Sequence, residues 1–161
     1  MLVALAALAA APAAWAQADA ACRIADPNAE RAIVPGCSVG ADGRLPFDAD
    51  GLAVLTVRDQ FYYVRADGSS LPVILWDSGP DYFAEGLTRG IFHGRIGFYD
   101  LQLREVIAPV HDFAWPFEHS VARVCDGCRR GTPDGDGHTP MQGGRWYVID
   151  RNNLEVPEPQ H

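Results

Sequence analysis

The chain has 161 residues, the length of one domain or of a few small repeats, with 13 basic against 21 acidic residues and a formal net charge of −8. All 13 basic residues are arginine, so a Schiff-base lysine, a Ser-Lys pair and a Walker lysine are excluded. The negative balance, with no basic run, argues against nucleic acid and anionic membrane surfaces as partners.

Residues 1–16 (MLVALAALAAAPAAWA) carry no charge. The apolar run from Leu2 to Ala11 has the length of a signal-peptide core, and Ala14-Trp15-Ala16 is a small-x-small cleavage site. A signal peptide over 1–16 is therefore expected, which places the mature protein outside the cytoplasm, periplasmic or secreted. The stretch is too short and too alanine-rich for a transmembrane span, and no membrane association is expected after cleavage.

Segment 17–50 holds Cys22 and Cys37, with Pro27, Pro35, Gly36, Gly40 and Gly43 between or beside them. It shows little periodicity and needs a staple or a docking surface to be ordered. The four cysteines of the mature chain are Cys22, Cys37, Cys125 and Cys128. In an oxidising compartment an even count reads first as disulfides, and nearest-neighbour pairing is the simplest of three connectivities.

From Gly51 onward the pattern is that of short antiparallel strands. Ala53 to Val57 alternates, Phe61-Tyr62-Tyr63-Val64 follows, and Val73-Ile74-Leu75 comes after an Asp67-Gly68 turn. Gly, Pro and Asp punctuate the chain throughout. No window carries a sustained 3.6-residue stripe, so only short helical turns are expected, near Tyr82 to Leu87 and near Phe113. Hairpin turns are expected near Asp59-Gln60 and at His93-Gly94.

Internal similarity then emerges. Phe61-Tyr62-Tyr63-Val64 matches Ile96-Gly97-Phe98-Tyr99 at a shift of 35. Phe83 to Arg89 matches Phe117 to Arg123 at a shift of 34, and Gly94 to Asp100 matches Gly144 to Asp150 at a shift of 50. The implied fold is all-β, with tandem antiparallel hairpin repeats of about 35 residues over 51–156 and a short tail at 157–161.

Ile96-Gly97-Phe98-Tyr99-Asp100, Val106-Ile107-Ala108-Pro109, Asp112-Phe113 and Phe117 resemble, in that order, the repeat of the WG-repeat family. Trp146-Tyr147-Val148-Ile149-Asp150 resembles its opening again. In that family an aromatic-Gly pair opens a strand ending in Asp, followed by a V-I-P-like strand, an acidic-aromatic turn and an F-x-x-G. The resemblance implies a β-rich repeat module used for binding and no common enzymatic activity.

Stacked hairpins should bury Val54, Phe61, Tyr63, Ile74, Phe83, Ile96, Phe98, Val106, Ile107, Phe117, Trp146, Val148 and Ile149. Core packing outweighs a ligand cage as the role of these aromatics. Gly86, Gly94 and Gly97 suit positive φ or close backbone approach. Asp81, Glu85, Asp112 and Glu118 read as turn caps, not as an acid–base pair. No catalytic residue is assigned.

The growth of the shift from 34 to 50 marks an insertion of 16 residues. It places Cys125 to Gly143 as an enlarged hairpin tip, rich in Gly, Pro and Asp. Three readings fit it. The first is a Cys125–Cys128 disulfide tying the loop. The second is a zinc site on Cys125, Cys128 and His138, with His119, His111 or water as a fourth ligand. The third is a redox dithiol, which would lack the helix N-terminus that stabilises a thiolate. The expected function is thus an exported, non-catalytic module binding an unidentified protein or small ligand, without a cofactor. The alternative is metal or thiol chemistry centred on the Cys125/Cys128/His138 loop.

Overall fold

The computed structural model describes residues 46–57, 60–135 and 138–159. The expected signal peptide, Cys22, Cys37 and most of segment 17–50 lie outside these residues, as does Asp59.

Among the described residues there are twelve strands and no helix. They are β1 (Leu52–Val57), β2 (Gln60–Arg65), β3 (Ser70–Val73), β4 (Leu75–Trp76), β5 (Gly79–Pro80), β6 (Leu87–Phe92), β7 (Arg95–Asp100), β8 (Glu105–His111), β9 (Phe113–Ala114), β10 (Ala122–Arg130), β11 (Met141–Ile149) and β12 (Glu155–Val156). A six-stranded sheet runs β1-β2-β3-β6-β7-β8, a four-stranded sheet runs β12-β11-β10-β9, and β4-β5 form a small hairpin. Every pairing is antiparallel.

Strand alternation sorts the apolar residues into two cores. Ile96 and Phe98 of β7 join Leu87, Ile107, Ala114, Phe117, Ala122, Val124 and Ile149 between the two large sheets. Tyr99, on the other face of β7, joins Leu52, Leu71, Val73, Phe92 and Leu103. This is why β7 is buried at four consecutive positions. Gly97 sits inside that strand because a Cβ there would meet the β8 backbone, 2.6 Å from Ile107 O and 2.7 Å from Pro109 N.

Turns of one geometry recur. At Asp48–Leu52, Arg65–Ser69, Asp100–Arg104 and Asp150–Leu154, the first N–H donates to the fifth carbonyl and the fourth N–H donates to the first. The fourth residue is left-handed in each: Gly51, Gly68, Leu103 and Asn153, at φ 73°, 85°, 59° and 61°. This is the three-residue hairpin loop, a type I turn closed by a left-handed residue. In the three turns that open with Asp, its Oδ1 accepts the N–H groups two and four residues on. Tight two-residue turns at Glu85-Gly86, His93-Gly94 and His119-Ser120 have both central residues at positive φ. The segment 82–87, expected as a helical turn, is instead the bridge Ala84↔Leu87 around one of these turns.

The structure corrects other expectations. Val54 and Val106 are 43% and 42% exposed. Both lie on edge strands, and their neighbours Ala53, Leu55 and Ile107 carry the burial. Trp146 is half-buried. The Cys125–Gly143 segment is for the most part not a loop. β10 and β11 stay paired out to Arg130↔Met141, with Cys125 opposite Trp146 and Cys128 opposite Gly143. The extra residues lengthen two strands, because a ladder satisfies backbone groups that a long loop would leave to water. Only 131–140 connect them. Gln60 lies in β2, not in a turn.

Candidate binding groove

The β4–β5 hairpin turns at Asp77 and Ser78, both left-handed, and is closed where Asp81 N donates to Ile74 O at 3.0 Å. It presents Trp76. The Arg89 guanidinium lies over the Trp76 ring, 4.3 Å from its centroid. Arg89 is itself fixed from three sides. Its Nε donates to Asp81 Oδ2 at 3.0 Å, its Nη2 to Asp81 Oδ1, and its Nη1 to Ala114 O at 2.8 Å. Arg89 N and Thr88 Oγ1 complete the Asp81 carboxylate at 2.8 and 3.3 Å. Asp81, expected as a solvated turn cap, is therefore a buried counter-ion that positions an aromatic residue.

Trp115 follows β9, its N–H donating to Arg123 O at 2.8 Å. Its ring meets Trp76 edge-on, with centroids 5.5 Å apart and planes at 86°. Phe113 stands 5.5 Å from Trp115 and 6.0 Å from Trp146, and Arg123 covers Trp146 at 5.3 Å. Trp76, Tyr82 and Trp115 line an open groove of 610 Å³ together with Phe117, Val121 and Val148. Arg123, Glu118 and His119 add polar groups, and Glu158 and Pro159 of the C-terminal tail line it too. Tyr82 is 50% exposed and Trp115 43%.

Cys125 and Cys128 are brought together, as expected. Their sulfurs lie within bonding reach and their Cα atoms are 6.1 Å apart. Both residues are buried, at 0% and 6% exposure. Gly144 packs beneath them at positive φ, where a Cβ would collide with Cys128 N and Asp126 O. His138 is not brought to the sulfurs. It sits at the hairpin tip, 82% exposed, with its N–H on Asp134 Oδ1 at 2.9 Å and its Nδ1 3.6 Å from Oδ2. Among the described residues no three His, Cys, Asp or Glu side chains are grouped to hold a metal ion, so the zinc set named from sequence is not assembled.

Sequence reading missed a second polar centre. Buried His111 joins Asp126 Oδ1 through Nδ1 at 3.0 Å and Asn153 Oδ1 through Nε2 at 2.9 Å. Tyr147 donates to Asp126 Oδ2 at 2.6 Å. Burial opposes the Asp126 carboxylate, but the Tyr147 and His111 hydrogen bonds hold it below the ordinary carboxyl value. Burial, then the bond to Asp126, push the Tyr147 phenol up to about 12. The groove was missed as well. Its sequence signal is that Trp76, Tyr82 and Trp115 stand outside the apolar positions read from the sequence as core.

Scans against protein-family models, curated proteins and solved structures give no match.

Proposed function

We propose that the chain is an exported, non-catalytic β module of the WG-repeat type, and that it binds a protein or small ligand in the Trp76–Tyr82–Trp115 groove. The observation that carries this reading is the groove itself, where exposed Tyr82 and Trp115 stand beside half-buried Trp76, which the buried Asp81–Arg89 pair holds.

The repeat reading is supported by equivalent contacts. Phe83 packs on Tyr63 at 5.1 Å and Phe117 on Phe98 at 4.7 Å, at sequence shifts of 34 and 35. The turns at Glu85-Gly86 and His119-Ser120 correspond in the same register, and so do the turns opened by Asp100 and Asp150 at a shift of 50. Export rests on the leader-like residues 1–16, and a Cys125–Cys128 disulfide agrees with an oxidising compartment.

The test is a panel of immobilised peptides and glycans probed with the exported protein and with Trp115→Ala. Retention of some member by the parent, lost in the variant, supports the reading. Panel members held equally by both proteins would place binding elsewhere.

A further inference from the structure

We propose that Cys125 and Cys128 form a redox-sensitive clamp: as a disulfide they hold the outer half of the β10–β11 hairpin against the end of β8, and as two thiols they release it. β9 reaches β10 only at Ala114↔Val124 and Phe113↔Cys125, and β12 reaches β11 only at Val148↔Val156 and Ile149↔Glu155. Beyond Cys125, residues 126–130 and 141–145 therefore form a two-stranded arm that no third strand joins among the described residues. Such a ribbon is marginal in water without a further hold. Its side chains supply little: Arg129, Arg130, Gln142 and Arg145 are exposed, and of residues 126–130 only Cys128 is buried.

The hold lies in the two residues that the cysteines enclose. Asp126 Oδ1 meets His111 Nδ1 at 3.0 Å, and Asp126 Oδ2 accepts the Tyr147 hydroxyl at 2.6 Å. Gly127 N donates to Asp112 Oδ2, and Asp112 N donates to Cys125 O at 3.0 Å. His111 ends β8 and Asp112 follows it, so these contacts dock the arm. In a regular strand, residues three apart face opposite sides. Gly127, at φ 77°, breaks the pleat and lets both sulfurs meet. The bridge thus fixes the backbone bend that presents Asp126 and Gly127 to β8.

The clamp opens by thiol–disulfide exchange with a dithiol as reductant. A thiolate of the dithiol attacks Cys128 Sγ, the S–S bond breaks, and Cys125 Sγ leaves as a thiolate and takes a proton. The second sulfur of the dithiol then displaces Cys128 Sγ, which takes the other proton. Two electrons pass to the bridge, and the dithiol becomes a disulfide. Cys128 is the reachable member: it is 6% exposed against 0% for Cys125, and it lies opposite Gly143, which has no side chain to cover it.

The test uses the full chain carrying Cys22→Ser and Cys37→Ser, so that only the β10 pair responds, first oxidised and then treated with dithiothreitol. Mass spectrometry counts the thiols, and amide hydrogen exchange reads the backbone. On reduction, amides of 126–130 and 141–145 should exchange about tenfold faster or more, those of β7 should not change, and reoxidation should restore the slow rates. Tyr147, read as the difference from Tyr147→Phe, should titrate at about 12 when the pair is oxidised. It should move toward the free phenol value of about 10 when the pair is reduced. Under oxidising conditions the chain with its native cysteines and its Cys125→Ala/Cys128→Ala variant should differ in the same way, a comparison that does not depend on the serine background. Equal arm exchange in the two states overturns the proposal, as does a pair that dithiothreitol leaves intact in the folded protein. Loss of protection in β7 along with the arm also overturns it, because the bridge is then a staple of the whole fold.

Discussion

Asp81 and Arg89 meet through two side-chain hydrogen bonds with each side chain 1% exposed, and the same guanidinium lies against Trp76. The ion pair therefore couples the interior of the protein to the wall of its groove. Removing one partner leaves an uncompensated buried charge, so Asp81→Asn or Arg89→Met should cost about 3–5 kcal/mol in denaturant unfolding. The double replacement Asp81→Leu/Arg89→Met should cost much less than the sum of the two, because no charge is then stranded. Additive losses would show that the pair is not coupled.

Phe117 is 3% exposed beneath Phe98, whereas Trp146 is half-buried on the outer face of its sheet. Phe117→Ala is expected to lose about 3–5 kcal/mol. Trp146→Ala should lose distinctly less, since part of its ring is already in water. Equal losses in urea unfolding would reverse this assignment.

The Asp126–Tyr147 contact predicts a stability profile with two limbs. Asp126 titrates below its ordinary value in the folded state, so its contribution is full above the unfolded carboxyl value of about 3.9 and is lost as pH falls through the folded value. Tyr147 titrates at about 12 when folded. Its contribution is full below the unfolded phenol value of about 10 and is lost as pH rises toward the folded one. Asp126→Asn should flatten the acid limb and weaken the alkaline one. A variant profile parallel to the parent's at both ends would remove this contact from the account.

The cysteine pair makes a chemical prediction. Protein produced in an oxidising compartment should show the Cys125–Cys128 peptide lighter by two hydrogens than its reduced form in mass spectrometry, and chelators should leave its melting temperature unchanged. Two free thiols with no bound ion would contradict the disulfide reading. A chelator-sensitive melt would revive a metal role at these sulfurs.

Much of the fold was legible in the sequence because it rests on local rules. Period-two alternation gave the strands, and His93-Gly94 announced its tight turn. Gly97 was readable as a close backbone approach. The face of an edge strand was harder to read: in β1, apolar residues occur at both parities, and only the neighbouring strands decide that Val54 faces water. The insertion was misread because Gly, Pro and Asp mark loops by composition, while Cys125 to Arg130 finds a ladder partner in Met141 to Trp146. The groove depends on contacts far apart in sequence, such as Trp76 with Trp115 and Arg89 with Ala114 O. No local pattern encodes those contacts.

The most direct test of the groove as the binding surface is the equilibrium affinity of a retained panel member for three proteins: the parent, Trp115→Ala, and Val106→Ala. Val106 is exposed to a similar degree but lies on β8, away from the groove lining. Affinity should fall about tenfold or more in Trp115→Ala while the melting temperature stays near the parent's, and Val106→Ala should bind as the parent does. Unchanged affinity in Trp115→Ala would contradict the account.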